Sequence, residues 1–363
     1  MNNWLILLIS MVICSGCTMT ENVRETPVFY PSLPSQPKIQ YLFTINSEDD
    51  IRDSESALME FLVGDIESEK KLQKPYDIYS TRGKIYVLDR GYKKLLCIDL
   101  EKRTIAPLDD LGMGKLREPS GIWVSKEDVK YIADMKRKQI VVFDSNNKYH
   151  KTYGDSDLFE KPVDVVVRGN NIYVCDMGKN EIFILNKTTG SLKKTIREIS
   201  LEKSKLHKPS HMSLDTDGNL YVNDAFNYKV RKFDSEGNYI QSYGFHGDTV
   251  GAFARPKGLN IDHEGHLYVV DSAYENVQIF DSITGQVLLF FGGGIGERGS
   301  MYLPASLHID YENVDYFENF ADKDFHLEYV VYVGNMFGPT CLNVYGFGQW
   351  SGPFIQGEAD EKN

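Results

Sequence analysis

The stretch that decides the fold is Arg255-Pro256-Lys257-Gly258-Leu259-Asn260-Ile261-Asp262, then His263-Glu264-Gly265, then His266-Leu267-Tyr268-Val269-Val270-Asp271. After Ser272-Ala273-Tyr274-Glu275 the chain continues Asn276-Val277-Gln278-Ile279-Phe280-Asp281. Each run is five to eight residues rich in β-branched and aromatic side chains, and Gly, Asp and Asn punctuate the gaps where hairpins need them. With Gln286–Phe291 this gives four short strands, a to d, after one proline. The unit recurs. Pro75, Pro119, Pro162, Pro209, Pro256 and Pro304 open six such units, at spacings of 44, 43, 47, 47 and 48 residues. A period in this range without helical patterning predicts an all-β propeller of four-stranded antiparallel blades.

The sixth unit is short of one strand. Its strands a, b and c read as Ala305–Asp310, Glu328–Gly334 and Cys341–Gly346, after which the chain turns polar. An orphan strand, Ile39–Ile45, precedes the first unit. The amino-terminal strand is therefore expected to complete blade 6, closing the ring and removing an exposed edge. Ser47 to Lys71, polar and of helical character, is expected to cover part of the rim.

The segments quoted above, with Tyr86-Val87-Leu88-Asp89, Ile132-Ala133-Asp134 and Val174-Cys175-Asp176 ending earlier second strands, resemble the NHL repeat. From about residue 37 to 348 the chain resembles six-bladed NHL-repeat lipoproteins of Gram-negative bacteria. That resemblance implies a fold and a location more than an activity, since propellers serve unrelated chemistries.

The amino terminus points the same way. Trp4 to Ile13 is an apolar run too short to span a bilayer, and it ends in Cys14-Ser15-Gly16-Cys17. Residues 1–17 read as a lipoprotein signal with lipidation at Cys17, 18–36 as a proline-containing tether, 37–354 as the propeller and 355–363 as an acidic tail. Two acyl chains suffice for stable anchoring. Thr18 after the cysteine suits outer-membrane sorting. Cys97, Cys175 and Cys341 remain in the body, an odd number that argues for structural thiols rather than a disulfide framework.

The net charge of −12 works against a nucleic-acid partner. The strand-b aspartates Asp89, Asp134, Asp176, Asp224 and Asp271, with Asn335 in the sixth place, are expected to accept amide hydrogen bonds in their own b–c turns rather than to hold a metal. Gly292 to Gly299 is glycine-rich but lacks the helix and Lys-Ser/Thr of a phosphate loop, so it reads as a crossover turn.

Two surfaces attract functional readings. The b–c and d–a turns share one face, the top, where Arg90, Lys93, Lys94, Lys136, Arg137 and Lys138 stand near Tyr92, Phe226, Tyr228, Tyr274 and Phe337. Basic groups beside exposed aromatics suit protein recognition. The leading expectation is a non-enzymatic, membrane-tethered, monomeric scaffold binding an envelope protein or peptide through Arg90, Tyr92, Lys93, Lys136, Arg137, Phe226, Tyr274 and Phe337, with no cofactor and no assigned metal site. The second surface is the axial channel, lined by strand a. Asp77, Asp164, His211 and His308 sit where they could converge on it. The resemblance to six-bladed lyases and lactonases makes a metal-dependent lyase or hydrolase, of amidoglycolate-lyase or lactonase type, the alternative, with these four as its residues. A third reading is small-ligand or carbohydrate binding at the channel mouth with Trp123. Between strands a and b of blade 6, Tyr311 to Leu327 is an acidic, aromatic insertion expected on the bottom face.

Overall fold

The computed structural model describes residues 26–52, 71–108, 112–196, 206–294 and 296–353. The expected signal peptide, Cys17, most of the polar 47–71 stretch and the acidic tail lie outside these residues. Six antiparallel sheets stand around one axis, with strands in the order a-b-c-d from the centre outward. Blade 1 comprises Pro75–Thr81, Lys84–Asp89, Lys94–Asp99 and Thr104–Pro107. Blade 5, the sequence template, comprises Pro256–Ile261, His266–Asp271, Asn276–Asp281 and Val287–Gly292. Every strand a begins at its proline, where a missing N–H costs no ladder bond. The register slips just after each proline, as between Pro75–Asp89 and Asp77–Leu88. This bulge sets which strand-a side chains face the axis.

The closure occurs as expected. Ile39–Ile45 pairs antiparallel with Leu342–Trp350, from Ile39 opposite Phe347 to Ile45 opposite Leu342. One feature differs. Val28–Tyr30, read from sequence as tether, forms a fifth strand outside Ile39–Ile45. Its Phe29 ring packs 5.2 Å from Trp350 and 5.7 Å from Phe325, so the three-residue strand is held by aromatic contact as well as by its ladder. Blade 6 also runs longer than expected, with strands b and c at Phe325–Asn335 and Leu342–Trp350.

The core is a ring of six apolar clusters, one at each blade junction. Alternation along strand b divides each blade between its two neighbours. In blade 6, Val330 and Tyr332 face blade 1, while Val331 and Val333 face blade 5. The blade 6–blade 1 junction contains Ile45 beside Ile78 and Val87, which makes the wheel continuous. Cys175 is buried and Cys97 and Cys341 partly so, all free, and burial pushes the thiols of Cys97 and Cys341 up to about 11.

The strand-b aspartates do more than turn chemistry predicts. Asp271 accepts from Ala273 and Tyr274 in its b–c turn, and also from Ala254 and Arg255 in the preceding crossover. Asp89, Asp134 and Asp176 repeat the arrangement. One buried carboxylate thus joins two top-face turns. Asn335 keeps one such bond, from the Tyr302 amide.

Candidate functional site

The bulge after each proline brings Asp77, Gly121, Asp164, His211, Gly258 and Ser306 to one level of the axis. Here the innermost strands crowd. A Cβ on Gly121 would stand 2.5 Å from the Asp164 Cα, and one on Gly258 would stand 2.4 Å from the Ser306 Cα. Glycine lets those blades approach. The two aspartates bridge blades instead. Asp77 accepts the Ile78 amide at 3.0 Å and, across the junction, the Ile122 amide at 2.8 Å. Asp164 accepts Val165 at 2.8 Å and Met212 at 2.7 Å.

Below this level the axis opens into a cavity of about 660 Å³. Its walls run from Asp77, Asp164 and His211 to the a–b turns, where Lys126, Thr216, His263 and Tyr311 line it. The mouth therefore lies on the bottom face, opposite the basic rim. Tyr79 and Trp123 form aromatic wall, their rings meeting edge-on at 6.1 Å, and His308 lies 4.5 Å from Tyr79. Ser213 and Asn260, hydrogen-bonded at 3.2 Å, add polar groups. At the mouth Tyr311 stacks on His263 at 3.8 Å.

The electrostatics follow from burial. His211 is pushed down to about 3 by burial, with the cations Lys257 and Arg90 adding to it. His308 is pushed down to about 4 by burial, which Asp310 opposes. Both rings are neutral at pH 7. Burial raises the carboxyls of Asp77 and Asp164, and the charge of Asp77 raises Asp164 further. His211 Nδ1 lies 3.2 Å from Ser210 Oγ, while His211 Nε2 and Ser306 Oγ are buried without a hydrogen-bond partner.

All four sequence candidates thus line one cavity. They do not make a metal centre: among the described residues no three His, Cys, Asp or Glu side chains converge as ligands. A divalent ion needs several clustered donors, and each oxygen of Asp77 and Asp164 already accepts a backbone amide. The donor set does not fit the metal-dependent form of the lyase or lactonase expectation.

The top-rim candidates are on the expected face but in mixed roles. Phe226, Tyr274 and Phe337 are exposed, as are Lys93 and Lys136. Tyr274 donates to the Gly247 carbonyl, and Arg137 donates to the Met113 and Lys115 carbonyls. Tyr92 packs on the blade 6–blade 1 cluster. Arg90 lies with its guanidinium 3.3 Å from the Tyr76 ring centroid. The blade 6 insertion is on the bottom face as expected. Glu312 and Asn313 accept the Arg82 and Gly83 amides in the a–b turn of blade 1, and Phe317 is buried among Phe43 and Tyr332. Its role at the cavity is confined to Tyr311.

Sequence reading missed the mouth pair His263–Tyr311 and the half-buried Lys257. The signal for Lys257 was present, because the residue after each blade proline is otherwise Tyr76, Ser120, Val163, Ser210 or Ala305.

The geometry defines the class: a closed six-bladed β-propeller with an axial cavity open on one face. No protein-family model matches the chain, and no curated protein matches it in sequence. Solved structures do match in fold. A protein of unknown function from Bacteroides thetaiotaomicron gives a TM-score of 0.58 at 17% identity, covering 85% of this chain and 75% of its own. A gluconolactonase from Xanthomonas campestris gives 0.57 at 14%, covering 89% and 97%. A catalytically inactive virginiamycin B lyase from Staphylococcus aureus with quinupristin gives 0.52 at 14%, covering 78% and 87%. At such identities the likeness is one of fold.

Proposed function

We propose that the protein binds a small, uncharged, hydroxyl- or ester-bearing molecule in the axial cavity, entering from the face of the a–b turns. The observation that carries this reading is a cavity of about 660 Å³ whose wall sets the aromatic rings of Tyr79 and Trp123 beside the polar groups of Ser213, Asn260 and His308. Small-molecule sites have this size and this mixture of apolar wall with a few convergent polar groups. Trp123 and Tyr79 offer flat apolar faces to a ring. Neutral histidines and raised carboxyls favour a neutral guest over an anion.

Titration with D-glucono-1,5-lactone and with neutral monosaccharides, followed by ligand-observed NMR, tests the reading. Binding that is lost in Ser213→Trp, which fills the cavity, supports it; binding unchanged in that variant contradicts it.

A second reading, turnover of the bound molecule, is favoured by the gluconolactonase and the virginiamycin B lyase built on the same wheel. In it His308, neutral and beside Tyr79, serves as the base, and the carboxyl of Asp77 is the proton donor. Loss of lactone opening in His308→Phe with binding retained is its expected mark. With residues 1–17 read as a lipoprotein signal, the ligand would be met in the cell envelope, and palmitate incorporation abolished by Cys17→Ala tests that placement. The top rim as a peptide-docking surface has less support, because Arg90, Tyr92 and Arg137 are engaged within the protein.

A further inference from the structure

The other end of the axis is built differently. The residues immediately before the six blade prolines, which begin strand a, are Lys74, Glu118, Lys161, Lys208, Arg255 and Leu303, four cations against one anion on a protein of net charge −12. Lys257 follows Pro256 and is half-buried. Arg90 stands on the same face, in the b–c turn of blade 1. Its amide donates to the Lys74 carbonyl at 3.0 Å, its guanidinium covers the Tyr76 ring, and its Nε is buried without a partner.

We propose that Arg90 and Lys257, with Lys161 and Arg255 around them, form a binding site at the top of the axis for the oxyanion of a small molecule, a phosphate or a carboxylate. Among the described residues, no acidic side chain forms an ion pair with any of these four cations. Apart from Glu118, which is exposed, the nearby carboxylates are otherwise committed. Asp89 and Asp271 accept backbone amides of the top-face turns, Glu275 accepts the Leu303 amide, and Asp77 and Asp164 lie beneath Tyr76 with raised pKa values. Burial pushes the Lys257 ammonium down to about 8, and Arg255, Arg90 and Lys161 push it the same way.

Like charges gathered at one end of the axis in a partly desolvated setting repel unless an anion joins them. Guanidinium and ammonium groups together suit a compact oxyanion, the first by paired donors and the second as a point charge. The half-buried position of Arg90 and Lys257 suits a small group better than a flat polyanion. Tyr76, buried under Arg90 with its ring 6.1 Å from His211, separates this site from the cavity below. The two sites open on opposite faces, and this proposal stands apart from the ligand proposed for the cavity.

The test uses inorganic phosphate as probe on the intact chain, with thermal unfolding and calorimetric titration in chloride buffer at pH 7. Wild type is expected to bind phosphate saturably, with Lys257→Met and Arg90→Met each weakening binding about tenfold or more. Lys136→Met, an exposed lysine on the same face, is expected to leave binding unchanged. Without phosphate, Lys257→Met is expected to be as stable as wild type or more so, because a crowded cation has been removed; this shows that loss of binding is not loss of fold. Phosphate stabilising wild type, Lys257→Met and Arg90→Met equally would mark a general salt effect and overturn the proposal. No saturable binding to wild type would overturn it too.

Discussion

Replacing Asp271 by alanine removes one side chain and unties two turns. The carboxylate is fully buried. It accepts the Ala254 amide at 2.8 Å, Arg255 at 3.1 Å, Ala273 at 2.8 Å and Tyr274 at 3.2 Å. Hydrogen bonds to a charged acceptor contribute about 1.5–3 kcal/mol each. Water reaches part of the loosened turns, so roughly 1 kcal/mol per amide is the safer figure, and the sum is roughly 4 kcal/mol. Asp281 is the control. It accepts the Ile283 and Thr284 amides at 2.8 Å each, on an exposed turn where water replaces it readily. Asp281→Ala should cost far less than Asp271→Ala. Asp271→Asn keeps one acceptor oxygen, as Asn335 does in blade 6, and should fall between. Urea unfolding at pH 7, with hydrogen exchange read at Ala254, Arg255, Ala273 and Tyr274, measures both the sum and its location. An Asp271→Ala loss within about 1 kcal/mol of Asp281→Ala, or unchanged protection at those four amides, would refute the reasoning.

Ring closure predicts that Ile39→Ala, at a fully buried site in the blade 5–blade 6 cluster, costs about 2–5 kcal/mol by thermal unfolding. Deleting residues 26–46, which removes both amino-terminal strands, is expected to expose the Leu342–Trp350 edge and yield an aggregating product by size-exclusion chromatography. The channel histidine predicts a pH effect. His211 falls from the ordinary 6.5 to about 3 on folding, so the unfolded chain binds the extra proton between those values. Its contribution is present above pH 6.5 and lost as pH drops towards 3, by at most roughly 5 kcal/mol. His211→Gln should therefore lose less stability than wild type on acidification, in urea titrations at pH 7 and pH 4. A difference between the two proteins that does not change with pH would contradict the burial of a neutral ring.

The wheel was legible in the sequence because its marks are local. A proline opening each strand a, an aspartate closing strand b in five blades with Asn335 in the sixth, and turn residues between them recur at a nearly fixed period. Those two residues meet in the ladder, as Pro75 does with Asp89. The borrowed strand was readable by subtraction, since blade 6 lacked a member and Ile39–Ile45 lacked a blade. Val28–Tyr30 was not, because three residues between prolines carry no periodicity and their strand exists only by pairing with Ile39–Ile45 and by the contact of Phe29 with Trp350. The four channel residues could be placed on strand a, and all four line the axial cavity. Which end of the axis is open was beyond reach, because it depends on Tyr76 and Arg90 meeting at the top while the turns at the bottom stand apart. The rim shows the same limit from the other side. Arg137 and Arg90 look alike in sequence as exposed cations, but one binds turn carbonyls and the other covers a tyrosine.

The claim that the axial cavity is the working site is tested most directly by a crystal structure of the chain soaked with D-glucono-1,5-lactone or the neutral sugar that binds most tightly in solution. The account predicts density inside the cavity, within hydrogen-bonding distance of Ser213 or Asn260 and against Trp123 or Tyr79. Density for the ligand on the top rim, with the cavity holding only water, would contradict it.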